Sequence, residues 1–355
     1  MIYWSRFLRA MRSPLLGLIV AFAVCTLFLV SIKEDPWLLV GAFKNTFFTP
    51  FGLGYTIYYA TPLIATGLSV ALCFQAGLFN IGAEGQLYVG SIAIILVAKW
   101  FPHLPPVMAV PVGIIASFVA GAFWGSIAGL LKAWRGSHEV IVTILLNFIA
   151  ISLVDYLLLY PLKNTTTQNT ETITIPDAYT IPQFETLLPT TPANYALFLL
   201  LIAAVMTWAF LYRTTWGYEL RAVGLNPTAA RFAGISVKKI TVLAMGLSGG
   251  LAGLVGVNEV MGNNHKVLQG FSPGYGFTGI AVSLLAKNHP VAVLLTAFLF
   301  GGLQNSAREI EFLSERVSKE LSFVIQGTLI AFVSAEYLIE RFLRARRLTR
   351  SRATS

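Results

Sequence analysis

Long apolar stretches separated by short polar segments make up most of the 355-residue chain. A helix of about 20 predominantly apolar residues can cross the roughly 30 Å hydrocarbon core of a bilayer. The pattern therefore predicts an all-α integral membrane protein with about ten transmembrane helices, or nine or eleven if short stretches form a re-entrant hairpin. The predicted spans are residues 15–32, 55–74, 79–100, 107–131, 139–160, 195–212, 240–261, 277–286, 291–303 and 321–343.

The basic residues indicate how these spans are oriented. Most of the 25 lysine and arginine residues precede the first span, fill the loop 213–239 or lie in the basic tail 344–355. Cytoplasmic segments of membrane proteins carry such an excess. Both termini are therefore predicted to be cytoplasmic, and the Thr-rich loop 161–194, which lacks a basic excess, is predicted to be external.

Composition supports a membrane protein and excludes other classes. Hydrophobic residues make up 56% of the chain and charged residues 12%, whereas soluble domains carry about 25% charged residues. The net charge of +9 belongs to the predicted cytoplasmic segments and does not indicate nucleic-acid binding. Cys25 and Cys73 lie in apolar stretches and are interpreted as small core residues, not as a disulfide or a metal site.

One stretch, residues 77–90, is too polar for its apolar surroundings. It contains four glycines together with Asn80, Glu84 and Gln86. The following residues 87–100 are too few to cross the membrane alone, so the third span must begin before residue 87. Polar groups at that depth normally face a bundle interior or a water-filled cavity. We therefore predict that the stretch lines a passage for a polar solute.

Two halves of the chain, 13–212 and 240–343, show signs of an inverted repeat around the loop 213–239. Gly67-Leu68-Ser69 and Gly246-Leu247-Ser248 each precede a glycine-rich stretch with an intramembrane glutamate, Glu84 or Glu259. The two motifs lie on spans predicted to run in opposite directions, as an inverted repeat requires.

Other intramembrane residues have a packing interpretation. Gly121, Gly125 and Gly129 recur every four residues, a spacing that lets helices approach closely. Asn147 lies near the middle of its predicted span. Its amide can join two helices by hydrogen bonds or line the passage, and the sequence favours neither.

The basic loop 213–239 contains a helix start. Asn226 and Pro227 are suited to the N-cap and first helical positions, and Gly234 can end the helix. A short helix in a basic cytoplasmic loop is suited to docking on another protein, although many basic loops are only solvated.

The sequence lacks the common motifs of nucleotide-binding proteins and hydrolytic enzymes. The chain has no phosphate-binding loop of the P-loop type, no zinc-protease motif and no hydrolase nucleophile motif. The sequence therefore predicts neither an enzyme nor a cofactor or metal site.

Five motifs together resemble a known family. They are GLFNIGAEGQ (77–86), EVIVTILLN (139–147), LRAVGLNPTAAR (220–231), SGGLAG (248–253) and GFTGIAV (276–282). They resemble permease subunits of bacterial ABC importers in the branched-chain amino acid and simple-sugar class. Within that class the chain is most similar to nucleoside-type permeases that work with basic-membrane-protein-like lipoproteins.

The resemblance implies a location and partners. It implies a bacterial plasma-membrane permease that pairs with a second permease, cytoplasmic ABC ATPases and an external substrate-binding lipoprotein. It also implies that a partner hydrolyses ATP and that the region around residues 226–235 is the coupling helix. The residues predicted for ATPase coupling are Arg221, Asn226, Pro227, Ala230, Arg231, Gly234 and Ile235.

A nucleoside is the substrate that the resemblance favours, and simple sugars remain an alternative. The residues predicted for the passage are Asn80, Glu84, Gln86, Asn147, Glu259 and Phe277. A rival of another class is a proton-coupled secondary transporter in which Glu84 and Glu259 carry protons.

Overall fold

The computed structural model describes residues 33–314 without a break, and also residues 23–24, 26–27, 29–31, 324 and 327. The tail 344–355 and most of the predicted spans 15–32 and 321–343 lie outside the described residues. Within the described part, α-helices dominate and β-structure is limited to isolated bridges.

The described α-helices connect through short turns, except where the long segment 160–195 intervenes. They are α1 (Trp37–Phe48), α2 (Pro50–Gln75), α3 (Ala83–Trp100), α4 (Pro106–Arg135), α5 (Glu139–Leu159), α6 (Ala196–Arg213), α7 (Thr215–Leu225), α8 (Pro227–Phe232), α9 (Val237–Gly253), α10 (Tyr275–Leu285) and α11 (Pro290–Leu313). A π-helix, Val257–Asn264, follows α9, and a 3-10 turn occupies Asp177–Tyr179.

Six described helical segments are long and apolar enough to cross a membrane: α2, α4, α5, α6, α11 and the combined segment Val237–Asn264. The predicted bounds of the spans at α4, α5 and α6 agree with the structure to within a few residues. Helix α3 has 18 residues but is less apolar than these segments, and α10 is apolar but has only 11 residues. The described helices therefore do not establish ten spans.

One predicted boundary was wrong. The span predicted over residues 291–303 ends too early, because α11 continues to Leu313. Ala307 and Ile310 are fully buried and continue the apolar stripe of Phe300 and Leu303 at helical spacing. The charged residues between them occupy other faces of the same helix.

Residues 50–302 form one compact unit. Helix α2 and the segment Val237–Asn264 are mostly buried in it, whereas most residues of α4, α5 and α6 are half-buried or exposed. Large apolar side chains that face outward on long helices are suited to lipid. The unit therefore has a buried central pair of helices and outer helices with lipid-compatible faces.

Glycines bring α4 and α9 into backbone contact, as their spacing predicted. A Cβ at Gly121 would overlap the carbonyl oxygen of Gly249, and one at Gly125 would overlap that of Met245. A Cβ at Gly129 would approach the Met245 side chain at 3.0 Å. This stripe therefore serves helix packing.

The second compact unit comprises residues 1–49 and 303–355. Among its described residues, α1 packs on the end of α11 through polar contacts. The hydroxyls of Ser306 and Thr46 lie 3.0 Å apart, and the Asn45 amide donates to Glu309 at 3.4 Å.

Candidate functional site

The first turn of α10 is held by the Glu84 carboxylate. Gly276 N–H donates to Glu84 Oε2 at 2.6 Å, and the Ser272 side chain also bonds to this carboxylate. A Cβ at Gly276 would overlap the Glu84 backbone nitrogen, so only glycine permits this approach. The carboxylate thus satisfies a helix N–H that has no partner within its own helix.

Asn80 is the centre of a fully satisfied polar network. Its amide nitrogen donates to Gln86 Oε1 at 2.8 Å and to Ser248 Oγ at 2.7 Å. Its oxygen accepts from Gly82 N–H at 2.9 Å and from the Gln86 amide at 3.2 Å. All hydrogen-bonding positions of the Asn80 side chain are therefore used within the protein.

The same network joins the two Gly-Leu-Ser motifs. The Ser69 and Ser248 hydroxyl oxygens lie 2.8 Å apart, and the Ser248 hydroxyl donates to the Ser69 carbonyl oxygen at 2.7 Å. Asn80 donates to that same Ser248 oxygen. The stretch before α3 is thereby bound to α9, and through α9 to α2.

Asn147 joins α5 to the start of α3. Its side-chain oxygen accepts from Gly85 N–H at 2.7 Å, and its amide donates to the Ile81 carbonyl at 2.9 Å. Gly85 lies in the first turn of α3, whose N–H groups lack partners inside the helix. Of the two interpretations left open by the sequence, the contacts favour the one in which Asn147 joins two helices.

Glu259 lies in the π-helix and accepts hydrogen bonds from neutral side chains. Tyr58 O–H donates to Oε2 at 2.8 Å, and the Asn258 amide donates to Oε1 at 3.1 Å. Asn264 donates to Oε2 at 3.4 Å, and the Tyr275 side chain bonds to the same carboxylate. Tyr275 precedes Gly276, so Glu84 and Glu259 both bind the first turn of α10.

Phe277 is the predicted passage residue that the chain leaves open. Its side chain is 51% exposed, next to the turn that Glu84 holds. Leu284, on the same helix, is also exposed. The other residues of the predicted set, Asn80, Glu84, Gln86, Asn147 and Glu259, are each at most 4% exposed. Glu84 and Glu259 thus bind the first turn of α10, whereas Asn80, Gln86 and Asn147 bond at the start of α3. Phe277 lies at the surface of the described chain.

The short helix predicted in the loop 213–239 is present as α8, and its coupling role stays a prediction. Asn226 caps it, because its side-chain oxygen accepts from the N–H groups of Thr228 and Ala229 at 3.0 Å each. Pro227 occupies the first turn. Gly234 follows the helix with a φ of 84°, in the left-handed region that favours glycine. The cap and the stop were both predicted from the sequence.

The surface around α8 is both apolar and basic. Leu225 and Phe232 are 89% and 90% exposed, and Arg231 is exposed beside them. Ala230 is buried, and its carbonyl accepts from Ile235 N–H at 3.0 Å, which closes the end of the helix. Leu225 and Phe232 were not singled out in the sequence, because exposed apolar side chains cannot be distinguished from buried ones by residue type alone.

Arg221 does not lie on this surface. Its guanidinium carbon sits 4.9 Å from the centroid of the Tyr212 ring, and its Nε is buried. The prediction grouped it with Arg231 because both are basic residues of one loop. The structure separates them, since the helical position of Arg221 turns its side chain toward α6.

The Thr-rich segment 161–194 pairs with the connection between the π-helix and α10. Thr172 N–H donates to the Val267 carbonyl at 3.0 Å, and Glu171 forms an isolated bridge with Leu268. Lys266 Nζ lies 2.8 Å from Glu171 Oε2, and this contact lowers the pKa of the Glu171 carboxyl. The Thr-rich segment is therefore packed onto the protein near the start of α10.

An apolar cleft of about 380 Å³ opens among α2, α4, α6 and α9. Thr207 is the one lining residue with a polar side-chain group. A cleft of this lining cannot satisfy the hydrogen bonds of a polar solute, so we do not assign it to the passage. The lining residues are Leu72, Ile114, Ile115, Phe118, Leu199, Ile202, Ala203, Met206, Thr207, Phe210, Leu247, Leu251 and Leu254.

The sequence profile of one protein family covers most of the chain. Residues 52–334 match the family described as "Branched-chain amino acid transport system / permease component". The chain belongs to this family. It is therefore a multi-pass membrane permease, and the resemblance drawn from the five motifs is confirmed.

Three relatives agree with this membership. A nucleoside ABC transporter permease of Lactococcus lactis subsp. cremoris is 33% identical over 98% of this chain and 97% of the relative. A guanosine ABC transporter permease of Bacillus subtilis is 38% identical, with 81% of this chain and 82% of the relative covered. A glucose ABC transporter permease of Haloferax volcanii is 35% identical, with 94% and 89% covered. The permease is thus a subunit of the ABC transporter class.

Proposed function

We propose that this permease imports a nucleoside across the bacterial plasma membrane. The observation that carries the substrate class is the similarity to nucleoside and guanosine permeases over most of the chain. The exposed Phe277 ring supports it, because an aromatic face can stack on a nucleobase. A simple sugar is the second candidate, supported by the similarity to a glucose permease.

The proposed passage runs past α10. Phe277 and its neighbours on the exposed face of this helix would contact the solute. The buried Glu84 and Glu259 would fix the first turn of the helix that carries Phe277. Asn80, Gln86 and Asn147 would act one step further away, by fixing the start of α3, which carries Glu84. In this proposal, a paired permease supplies the opposite wall, since Phe277 is open to the surroundings in the single chain.

A partner ATPase would drive the cycle. The exposed side chains of Leu225, Arg231 and Phe232 suit a protein interface that is apolar at its centre and basic at its rim. ATP hydrolysis would take place on that partner and not on this chain. A binding lipoprotein would deliver the solute at the outer side, where the Thr-rich segment lies in the proposed orientation.

The proposed topology has about ten crossings with both termini in the cytoplasm. Helices α3 and α10 and the apolar stretches 15–32 and 321–343 would add to the six long described segments. The halves 13–212 and 240–343 would be related by an inverted repeat, with the meeting of Ser69 and Ser248 near its axis. The loop 213–239 would join them on the cytoplasmic side.

Reconstituted vesicles test the function. The permease is purified with its proposed partners, an ATPase, a second permease and a binding lipoprotein, and is placed in proteoliposomes. We expect uptake of labelled guanosine that needs ATP and the binding protein and exceeds glucose uptake. Glucose uptake in excess of guanosine uptake would favour the sugar alternative. Uptake that a protonophore abolishes and that proceeds without ATP would instead support a proton-coupled transporter.

A further inference from the structure

The inner end of α10 is connected to the coupling loop through stacked side chains. After α10, the chain turns through Lys287 and Asn288, which have φ values of 51° and 57°. Two consecutive non-glycine residues in the left-handed region are costly, and such backbone persists only where the surroundings hold it. His289 is the last residue of this turn, and α11 begins at the next residue, Pro290.

Tyr212, near the end of α6, contacts this turn. Its ring stacks on the His289 ring, with centroids 5.8 Å apart and planes inclined by 25°. Gln75, at the end of α2, donates to the Asn288 carbonyl at 3.1 Å and lies 3.5 Å from the Tyr212 hydroxyl. The turn after α10 is thus held from both α2 and α6.

Helix α7 of the coupling loop reaches the same place by two contacts. Arg221 contacts the same Tyr212 ring that stacks on His289. Its guanidinium carbon lies 4.9 Å from the ring centroid. Among the residues that the structure describes, its buried Nε finds no hydrogen-bond partner, so the contact with the ring accounts for its position better than a polar bond does. Gly224 packs its backbone directly on residues 75–77, where a Cβ would overlap the Gln75 carbonyl oxygen.

We propose that Arg221, Tyr212 and His289 are positioning residues that transmit movement of the coupling loop to the inner end of α10. Helix α7 is joined to α8 at Asn226, so displacement of α8 moves Arg221 and Gly224 with it. The stack passes that displacement to the turn 286–289, and the turn passes it to the helix that carries Phe277. The inference rests on the proposed function for its driving partner.

The chain contains a matched control for this arrangement. Arg213 lies over the Trp208 ring at 5.4 Å, on the same helix α6, but neither residue contacts the turn after α10 in the described contacts. The Trp208 ring lies next to the Tyr212 ring, with centroids 6.5 Å apart. Arg213→Gln therefore removes the same type of interaction one step away from the stack and leaves the rings of the stack in place. Tyr212→Phe keeps the aromatic ring, whereas Tyr212→Leu removes it. At the exposed position 289, His289→Phe likewise keeps an aromatic ring and His289→Ala removes it.

The test measures uptake and ATP hydrolysis in the same proteoliposomes. We expect Arg221→Gln, Tyr212→Leu and His289→Ala to lower uptake per ATP hydrolysed by about fivefold or more, within the usual range of coupling between sites. Tyr212→Phe, His289→Phe and Arg213→Gln should keep the wild-type ratio. Equal losses of uptake and hydrolysis would indicate only a structural role and would overturn the inference. An unchanged ratio of uptake to ATP hydrolysis in His289→Ala would also overturn it, because this substitution at an exposed position disturbs folding least.

A solute-independent measurement separates this inference from the proposed substrate. A cysteine is placed at Phe277, and its labelling rate in the assembled transporter is compared with and without ATP. We expect ATP to change the rate in the otherwise unaltered protein and to have at most a small effect when His289→Ala is added. The same ATP effect in both proteins would contradict the stack's role even if no nucleoside uptake were found.

Discussion

At the scale of single residues, polar groups in this permease act mainly on its own backbone. Glu84 holds Gly276, and Asn147 holds Gly85 and Ile81. The sequence was sufficient to locate Glu84 in the first turn of α3, because the length of the span fixes where it must start. It could not predict these partners, since they come from helices distant in sequence and the residue types suit solute contacts equally well.

Replacement of Glu84 tests its role at α10. Glu84→Ala leaves the buried Gly276 N–H without an acceptor, at a cost of about 1–3 kcal/mol, so we expect reduced uptake or assembly. Glu84→Gln retains an acceptor oxygen and should keep most activity. Uptake in proteoliposomes and the yield of assembled transporter are the measurements, with Glu185→Ala in the exposed external segment as control. Wild-type uptake by Glu84→Ala would show that the carboxylate is dispensable.

The Glu171–Lys266 pair makes a prediction about pH. Lys266 lowers the folded-state pKa of Glu171, so its stabilisation is complete above the unfolded pKa of about 4.3. It is lost as the pH falls through the lowered folded-state pKa. We expect hydrogen exchange at residues 266–269 to be slower in the wild type than in Glu171→Gln at pH 6. This difference should disappear on acidification, and a difference that is independent of pH would contradict the assignment.

At the scale of elements, the sequence predicted helix ends correctly where neighbouring residues determine them. Asn226, Pro227 and Gly234 specify α8 through a cap, a fixed φ and a left-handed stop, all of which depend on neighbouring residues. The continuation of α11 depends instead on the burial of Ala307 and Ile310. The π-helix at Glu259 has no local sequence signal that we recognise, although such turns are frequent at functional sites.

The apolar side chain of Phe232 gives a test of α8. We expect Phe232→Asp to reduce co-purification of the ATPase, because a charge would replace an apolar contact at the proposed interface. Tyr218→Asp, at an exposed position of α7, is the control for added charge on the same loop. Arg231→Glu should also weaken binding. ATPase recovery equal to the wild type in Phe232→Asp would rule out this face as the docking surface.

At the scale of the whole molecule, composition and the spacing of apolar stretches were sufficient to predict an all-α membrane protein. Bilayer thickness and the cost of charges in hydrocarbon leave few alternatives for such a chain. The relation between the halves is a weaker inference from sequence, because a three-residue match can arise by chance. The two motifs meet through the Ser69 and Ser248 side chains, and the inverted repeat itself stays a prediction.

Orientation in the membrane can be measured with a thiol reagent that does not cross the bilayer. In a background with Cys25 and Cys73 replaced by serine or alanine, Thr167→Cys should be labelled from outside intact cells. Residue 167 is exposed, and it lies in the Thr-rich segment that is predicted to be external. Arg350→Cys should be labelled only after the membrane is opened, because the basic tail is predicted to be cytoplasmic. Labelling of Arg350→Cys in intact cells, with Thr167→Cys protected, would invert the topology. It would also move the α8 surface to the outside and thereby exclude its contact with a cytoplasmic ATPase.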